Sequence, residues 1–226
     1  MASETSITPK QIFADLSQDV IGQDKALRDM SVAIFKHLIE HSSRNVLMIG
    51  NSGTGKTTVM RSIERFFTQT EGLDKYSTII RINANLVADL ASSGKQTNVV
   101  MDRLAHQAAN ILGKRADLDS MRKYVSHGIV CVDEVDKIRA VVGGVPKVKG
   151  IVAQDSLLTL MENENVQVDL PSYDAGSWHS LTTTINREHV LFVAGGAFEE
   201  LYDQVYQRVS KKSGSDKFWR LEPRAD

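Results

Sequence analysis

The sequence predicts an α/β domain of three layers, with helices on both faces of a mostly parallel sheet. Three observations predict it. Four short apolar runs, Val46-Leu47-Met48-Ile49, Thr78-Ile79-Ile80-Arg81-Ile82, Ile129-Val130-Cys131-Val132 and Val190-Leu191-Phe192-Val193, recur along the 226 residues. Stretches with apolar residues at helical spacing separate them. The first run ends at Gly50, which opens a glycine-rich turn that leads directly into one of those helical stretches. Continuous apolar runs fit strands covered on both faces, and their alternation with helices fits a parallel sheet.

In chain order, residues 1–18 read as a short arm. A helix starts near Gln23, with Ala26, Leu27, Met30, Ile34 and Leu38 on one side. After the first strand, Val59, Met60, Ile63, Phe66 and Phe67 form the apolar stripe of a helix that begins at Lys56. Val100, Leu104, Ala108 and Ile111 mark another helix ahead of the third strand. Between the third and fourth strands lie residues 141–151, rich in glycine and valine, and then a helix carrying Leu157, Leu158 and Met161. Residues 166–170 and 180–185 predict a hairpin around Pro171-Ser172-Tyr173-Asp174-Ala175-Gly176. The expected division is an arm over 1–18, the α/β domain over 19–209 and a polar, mobile tail over 210–226.

Composition narrows the function. A hydrophobic content of 42% with 24% charged residues is ordinary for a soluble globular chain. No apolar run reaches the roughly 20 residues of a membrane-spanning helix, and the first residues lack the pattern of a secretory signal. One cysteine, Cys131, excludes an internal disulfide and suits a reducing, cytoplasmic setting; within an apolar strand it reads as a core residue. The net charge of -1, with Lys147, Lys149, Lys211 and Lys212 scattered, disfavours nucleic acid as a partner. His37 and His41 share a helix face, but Leu38 stands where a metalloprotease helix needs glutamate, so a zinc site is not expected. Trp178-His179 and Phe218-Trp219 read as half-buried aromatics near loops.

Gly50-Asn51-Ser52-Gly53-Thr54-Gly55-Lys56-Thr57 fits Gly-x4-Gly-Lys-Thr, and it sits between a strand and an amphipathic helix as phosphate binding requires. Its glycines let successive N–H groups point inward as an anion nest, and the helix dipole acts at the same spot. Lys56 then reaches the β- and γ-phosphates of a nucleoside triphosphate, and the Thr57 hydroxyl ligates Mg²⁺. At the end of the third strand stand Asp133 and Glu134. Ligands gather at the carboxyl ends of parallel strands, so Asp133 is expected near Thr57 as a second Mg²⁺ partner. Glu134, on the other side of the backbone, is expected to polarise the attacking water. Asp136 and Lys137 read as a solvated continuation. Together the two motifs predict an ATPase, with Lys56 and Glu134 as its catalytic residues.

With these residues the chain resembles the AAA+ ATPases, whose large subdomain is a P-loop NTPase domain, and among them the ClpX-like unfoldases. Asp19-Val20-Ile21-Gly22-Gln23, after Thr8-Pro9-Lys10, resembles the family's segment ahead of the phosphate loop. Residues 132–138 resemble its acidic motif, and residues 191–198 its fourth strand and sensor-one region. The resemblance runs from about Thr8 to Arg208. It implies ATP and Mg²⁺ held by residues 50–57 and Thr58, with Val20 and Ile21 lining the adenine pocket. It also implies a hexameric ring of identical chains, an arginine supplied by the neighbouring subunit, and a protein substrate drawn through the central pore.

The sequence departs from that pattern in places. Ala91-Ser92-Ser93-Gly94-Lys95-Gln96 carries no aromatic where ClpX-like proteins have one in a pore loop. This favours an alternative in which ATP drives assembly without threading. No apolar-Gly-Phe tripeptide follows Arg208, so docking on a ClpP-type peptidase is not expected, and no N-terminal cysteine cluster provides a zinc-binding adaptor domain. The fifth strand, the interface arginine and the small helical lid of the family come later than Asp226, so a fragment of a longer protein is expected. Arg220 and Arg224 read as exposed arginines on the tail.

Overall fold

Thr8 and Pro9 make a strong helix start: the Thr8 hydroxyl accepts the Gln11 N–H, the Gln11 side chain accepts the Thr8 N–H, and Pro9 takes the first turn. The structure, a computed structural model, describes residues 7–39, 45–91, 98–139, 141–142, 145–162, 165–199, 201, 205–206 and 208. Helix α1 (Pro9–Leu16) leads to α2 (Asp24–Ile39), strand β1 (Val46–Ile49), α3 (Lys56–Gln69) and β2 (Ile79–Asn83). Then follow α4 (Ala84–Ala91), α5 (Val99–Leu112), α6 (Leu118–Ser126) and β3 (Ile129–Asp133). The short strands β4 (Val141–Val142) and β5 (Val145–Pro146), helix α7 (Val148–Glu162), the long pair β6 (Asn165–Asp174) and β7 (Ser177–Asn186), and β8 (Leu191–Gly196) complete the order.

The main sheet is all parallel in the order β1-β8-β3-β2. Its two faces are covered by different parts of the chain, which makes the predicted three layers. Ile129, Cys131, Leu191 and Val193 face α1, α2 and α3. Val130, Val132 and Phe192, the alternate residues, face α5, α6 and β6. The period of two along β3 and β8 therefore splits one apolar run between two cores. Burial raises the Cys131 thiol to about 12, so it is an inert core residue as expected.

The segment read as an arm departs from expectation. Ile12 and Leu16 are fully buried against α2 and α3, and Arg65 of α3 grips Asp15 and Asp19 at 2.7 Å each. Pro9 to Leu16 thus belongs to the same core as the rest of the domain. Strand β1 is apolar on both faces but covered on only one: Val46 and Met48 pack inward, whereas Leu47 and Ile49 are 52% and 63% exposed. Among the described residues β1 is an edge strand. On α2 the stripe is Leu27, Met30, Ile34 and His37, with Ala26 facing solvent. On α7, Leu157 packs on the core while Leu158 and Met161 are exposed. The hairpin forms, but Pro171 to Asp174 continue β6, and only Ala175 and Gly176 turn, both at positive φ. His41, the stretch 92–97 and the tail 210–226, with Arg220 and Arg224, lie outside the described residues.

His37 is 1% exposed and stands edge-on to Phe67 and Tyr76. Burial, and next the nearby His127, His189 and Lys75, push its pKa down from 6.5 to about 3. The unfolded chain therefore binds more protons than the native one between those values. The stability that a neutral His37 provides is complete above pH 6.5 and is lost as pH falls toward 3. Urea titrations at pH 7, 6 and 5 should show the wild type losing about 1 kcal/mol per pH unit more than His37→Gln. Parallel pH profiles for the two proteins would refute this.

Candidate nucleotide site

The glycine-rich turn leaves β1 at the carboxyl edge of the sheet. Gly53 and Gly55 adopt φ of 81° and 88°, a region that costs other residues about 1–2 kcal/mol each. Gly55 is the cap residue of α3 and offers no side chain to its first turn, so the helix's leading N–H groups face the turn. At Gly50 the reason for glycine is space: a Cβ would lie 2.9 Å from the Thr54 hydroxyl oxygen, which itself donates to the Asn51 carbonyl. Lys56 folds over the turn, its Nζ donating to the carbonyls of Gly50 (2.6 Å) and Asn51 (2.8 Å).

Two strands away, β3 ends at the same height. Thr57 Oγ1 donates to Asp133 Oδ2 at 2.6 Å, across 76 residues of sequence. The other oxygen of Asp133 accepts the N–H of Glu134 at 3.0 Å. Glu134 has φ 58° and ψ 39°, a left-handed conformation that is strained for a glutamate and turns the chain away from the strand. Its exposed carboxylate accepts from the Asn83 amide at 2.5 Å. Between Lys56 and Asp133 runs β8. A Cβ on Gly195 would make ordinary contacts with the Lys56 Cβ at 3.8 Å and Asp133 Oδ1 at 3.7 Å, so Gly195 lies between the two motifs; the tight approach there is the Met60 methyl at 3.0 Å.

These groups border one cavity of about 310 Å³, lined by Ser52, Gly53, Gly55, Lys56, Thr57 and Thr58 on one side and Asp133 and Glu134 on the other. Of the expected nucleotide contacts, Gly50, Asn51 and Thr54 shape the turn without lining the cavity. Val20 and Ile21 are parted: Val20 is buried in the core beneath α1 and α2, and Ile21 is 92% exposed, neither bordering the cavity. A more open depression of about 550 Å³ lies elsewhere, between Arg122, Lys123 and His189. It has no glycine-rich turn, and the chemistry of the two motifs lies in the smaller cavity.

Three residues of the site went unread in the sequence. Asn83 ends the second strand and pairs in register with Asp133, so the rule that ligands gather at strand ends would have found it. Asp136 and Lys137, expected to be solvated, line the cavity wall; Asp136 is only 11% exposed and accepts the Ala197 N–H at 3.1 Å. Among the described residues no group of three or more His, Cys, Asp or Glu side chains could hold a metal by itself. No described helix is long and apolar enough to cross a membrane.

Comparison with known proteins identifies the family. Residues 41–220 match the family described as AAA domain (Cdc48 subfamily). Curated relatives include the ATP-dependent Clp protease ATP-binding subunit ClpX of Bacteroides thetaiotaomicron, 28% identical over 217 residues, which cover 89% of this chain and 48% of that protein. The ClpX of Azotobacter vinelandii is 28% identical over 226 residues, covering 91% and 47%. ClpX 2 of Wolinella succinogenes is 28% identical over 219 residues, covering 91% and 50%. The chain spans about half the length of the curated relatives it matches.

Backbone strain, not crowding, is what Gly55 avoids, since a Cβ there would meet nothing within 4 Å. Gly55→Ala should therefore lower the unfolding free energy by about 1 kcal/mol in urea titrations without nucleotide. An unchanged midpoint and slope would contradict the left-handed cap.

Proposed function

The chain belongs to the AAA domain family, and from that membership and the geometry around Lys56 we propose that it binds ATP with Mg²⁺ and hydrolyses it to ADP and phosphate. The observation that carries this reading is the 2.6 Å hydrogen bond from Thr57 to Asp133, which joins the phosphate turn to the acidic strand end. A hydroxyl beside a carboxylate suits Mg²⁺, which takes one or two carboxylates and draws the rest of its shell from phosphate and water. Thr57 and Asp133 would hold the ion, which when bound supplies positive charge beside the β- and γ-phosphates.

The protein's own groups divide the remaining work. The turn N–H groups and the start of α3 bind the phosphate chain. Lys56 exchanges its two carbonyl partners for phosphate oxygens, a neutral acceptor for a charged one. Glu134 orients the attacking water and accepts its proton. Asn83 donates to the Glu134 carboxylate and sets where that group points. Val20 and Ile21 remain the expected adenine contacts; Ile21, bare and beside the base of α2, is the one free to move onto a ring.

By the same reading the domain works in a ring of identical subunits, each receiving an arginine from its neighbour, and acts on a protein. ClpX relatives bear names as ATP-binding subunits of a protease, which supports a remodelling role. A reducing cytoplasm suits the single, buried Cys131. The second reading, an assembly switch without threading, is favoured by the absence of an aromatic from residues 91–96, of which 92–96 lie outside the described residues. Loss of function on replacing Lys95 or Gln96 would exclude it, as would ATP turnover stimulated by an unfolded protein.

Lys56→Ala should abolish binding of a fluorescent ATP analogue; retained micromolar affinity would refute the role of the turn. Glu134→Gln should bind ATP as the wild type does and hold it unhydrolysed, with turnover down by about 10² or more. Turnover at the wild-type rate would remove Glu134 as the base.

A further inference from the structure

The carboxyl end of β8 ties together two parts of the site that are far apart in sequence. The peptide unit between Gly196 and Ala197 is held from both sides. Its carbonyl oxygen accepts the N–H of Gly50, the first residue of the phosphate turn, at 3.3 Å. Its N–H donates to Oδ1 of Asp136 at 3.1 Å. Asp136 lies inside the short 3-10 turn Val135–Lys137, which is closed onto Glu134 by the Lys137 N–H donating to the Glu134 carbonyl at 2.9 Å. Hydrogen bonds, joined covalently through one peptide plane and through Asp136, thus connect the phosphate turn to the backbone of the proposed base.

The packing leaves this link little play. A Cβ on Gly196 would lie 2.7 Å from Asp136 Oδ1 and 2.7 Å from the Phe198 ring, so Gly196 is a glycine because the carboxylate comes this close. Lys137 Nζ lies 3.9 Å from the second oxygen of Asp136. Among the described residues Asp136 is held by the Ala197 N–H and by Lys137, and it makes no hydrogen bond to Thr57 or Asp133. It therefore acts on the chemistry through Glu134, whose left-handed backbone needs support from its surroundings.

We infer that Asp136 is a positioning residue for hydrolysis: through the Gly196–Ala197 peptide it fixes the Glu134 turn relative to the phosphate turn. This rests on the ATPase reading for its effect on turnover, but the link itself does not. Small displacements of a catalytic group are costly to rate while leaving substrate binding intact.

Two measurements on the full chain test it. Without nucleotide, hydrogen exchange of the Ala197 amide and of residues 135–138 should be about tenfold faster in Asp136→Ala, with the Gly50 amide following by a few-fold. Asp136→Asn, which keeps an acceptor oxygen, should restore protection. In steady state, Asp136→Ala should lower kcat about tenfold with KM for ATP within about twofold. Gly196→Ala should do the same by pushing the carboxylate aside, and the double variant should be no worse than either alone. Asparagine should recover most of the loss. The inference is overturned if Asp136→Ala leaves kcat unchanged, if KM rises as much as kcat falls, if asparagine restores nothing, or if Gly50 exchange is unaffected. Should the wild type neither bind nor hydrolyse ATP, the ATPase reading falls and the exchange result alone decides the link. Should Asp136→Ala fail to fold, Gly196→Ala and Asp136→Asn decide it by the same criteria.

Discussion

Parallel pairing in one register governs everything at this site. In a parallel sheet all carboxyl ends face the same way, so residues that leave different strands meet at one edge. The pairing sets Met48 beside Gly195, Cys131 beside Val193 and Asn83 beside Asp133. A one-residue slip between β3 and β8 would turn Val130 and Val132 onto the wrong core and carry Asp133 away from Thr57. The two apolar clusters therefore hold the site in register. Each rejects the side chains of the other face, and that rejection fixes the height at which the acidic pair emerges.

The architecture was largely legible from periodicity. Runs such as Ile129-Val130-Cys131-Val132 announce a strand covered on both sides, and the stripe from Val59 to Phe67 announces a helix, because burial leaves that signature whatever the partner. The meeting of the glycine-rich turn with Asp133 was legible because both leave parallel strands at their carboxyl ends. What stayed hidden depends on the third dimension. Ile7, Ile12, Phe13 and Leu16 are short of the stripe a longer helix would show, and the polar residues around them hide that they pack on a core. Pro171 suggests a turn, but in β6 it pairs with Ser180 and the chain passes on for three residues more. Asn83 and Asp136 are ordinary residues in sequence and gain their roles only from neighbours brought in by the sheet.

The site also shows how strain and support are shared. Glu134 occupies a backbone conformation that its own chemistry disfavours, and it is held at its side chain by Asn83 and beyond its carbonyl by the 3-10 turn. The phosphate turn meets the same demand differently, with glycines at the two left-handed positions. A glycine at position 134 would relieve the strain but remove the carboxylate that Asn83 holds, so the glutamate bears it.

The strand order has a consequence for how the molecule comes into being. Among the described residues β8 is the last of the four sheet strands to leave the ribosome, yet its place is between β1 and β3. Until it arrives, β1 and β3 have no common neighbour, and the two apolar clusters lack their shared wall of Leu191, Phe192 and Val193. The growing chain must keep a slot open while residues 134–190 are synthesised, and closing it is a late, long-range event of the kind that slows folding. Gly195 and Gly196 arrive with that closing strand, so the cavity beside Lys56 gains its Gly196 wall only when β8 docks.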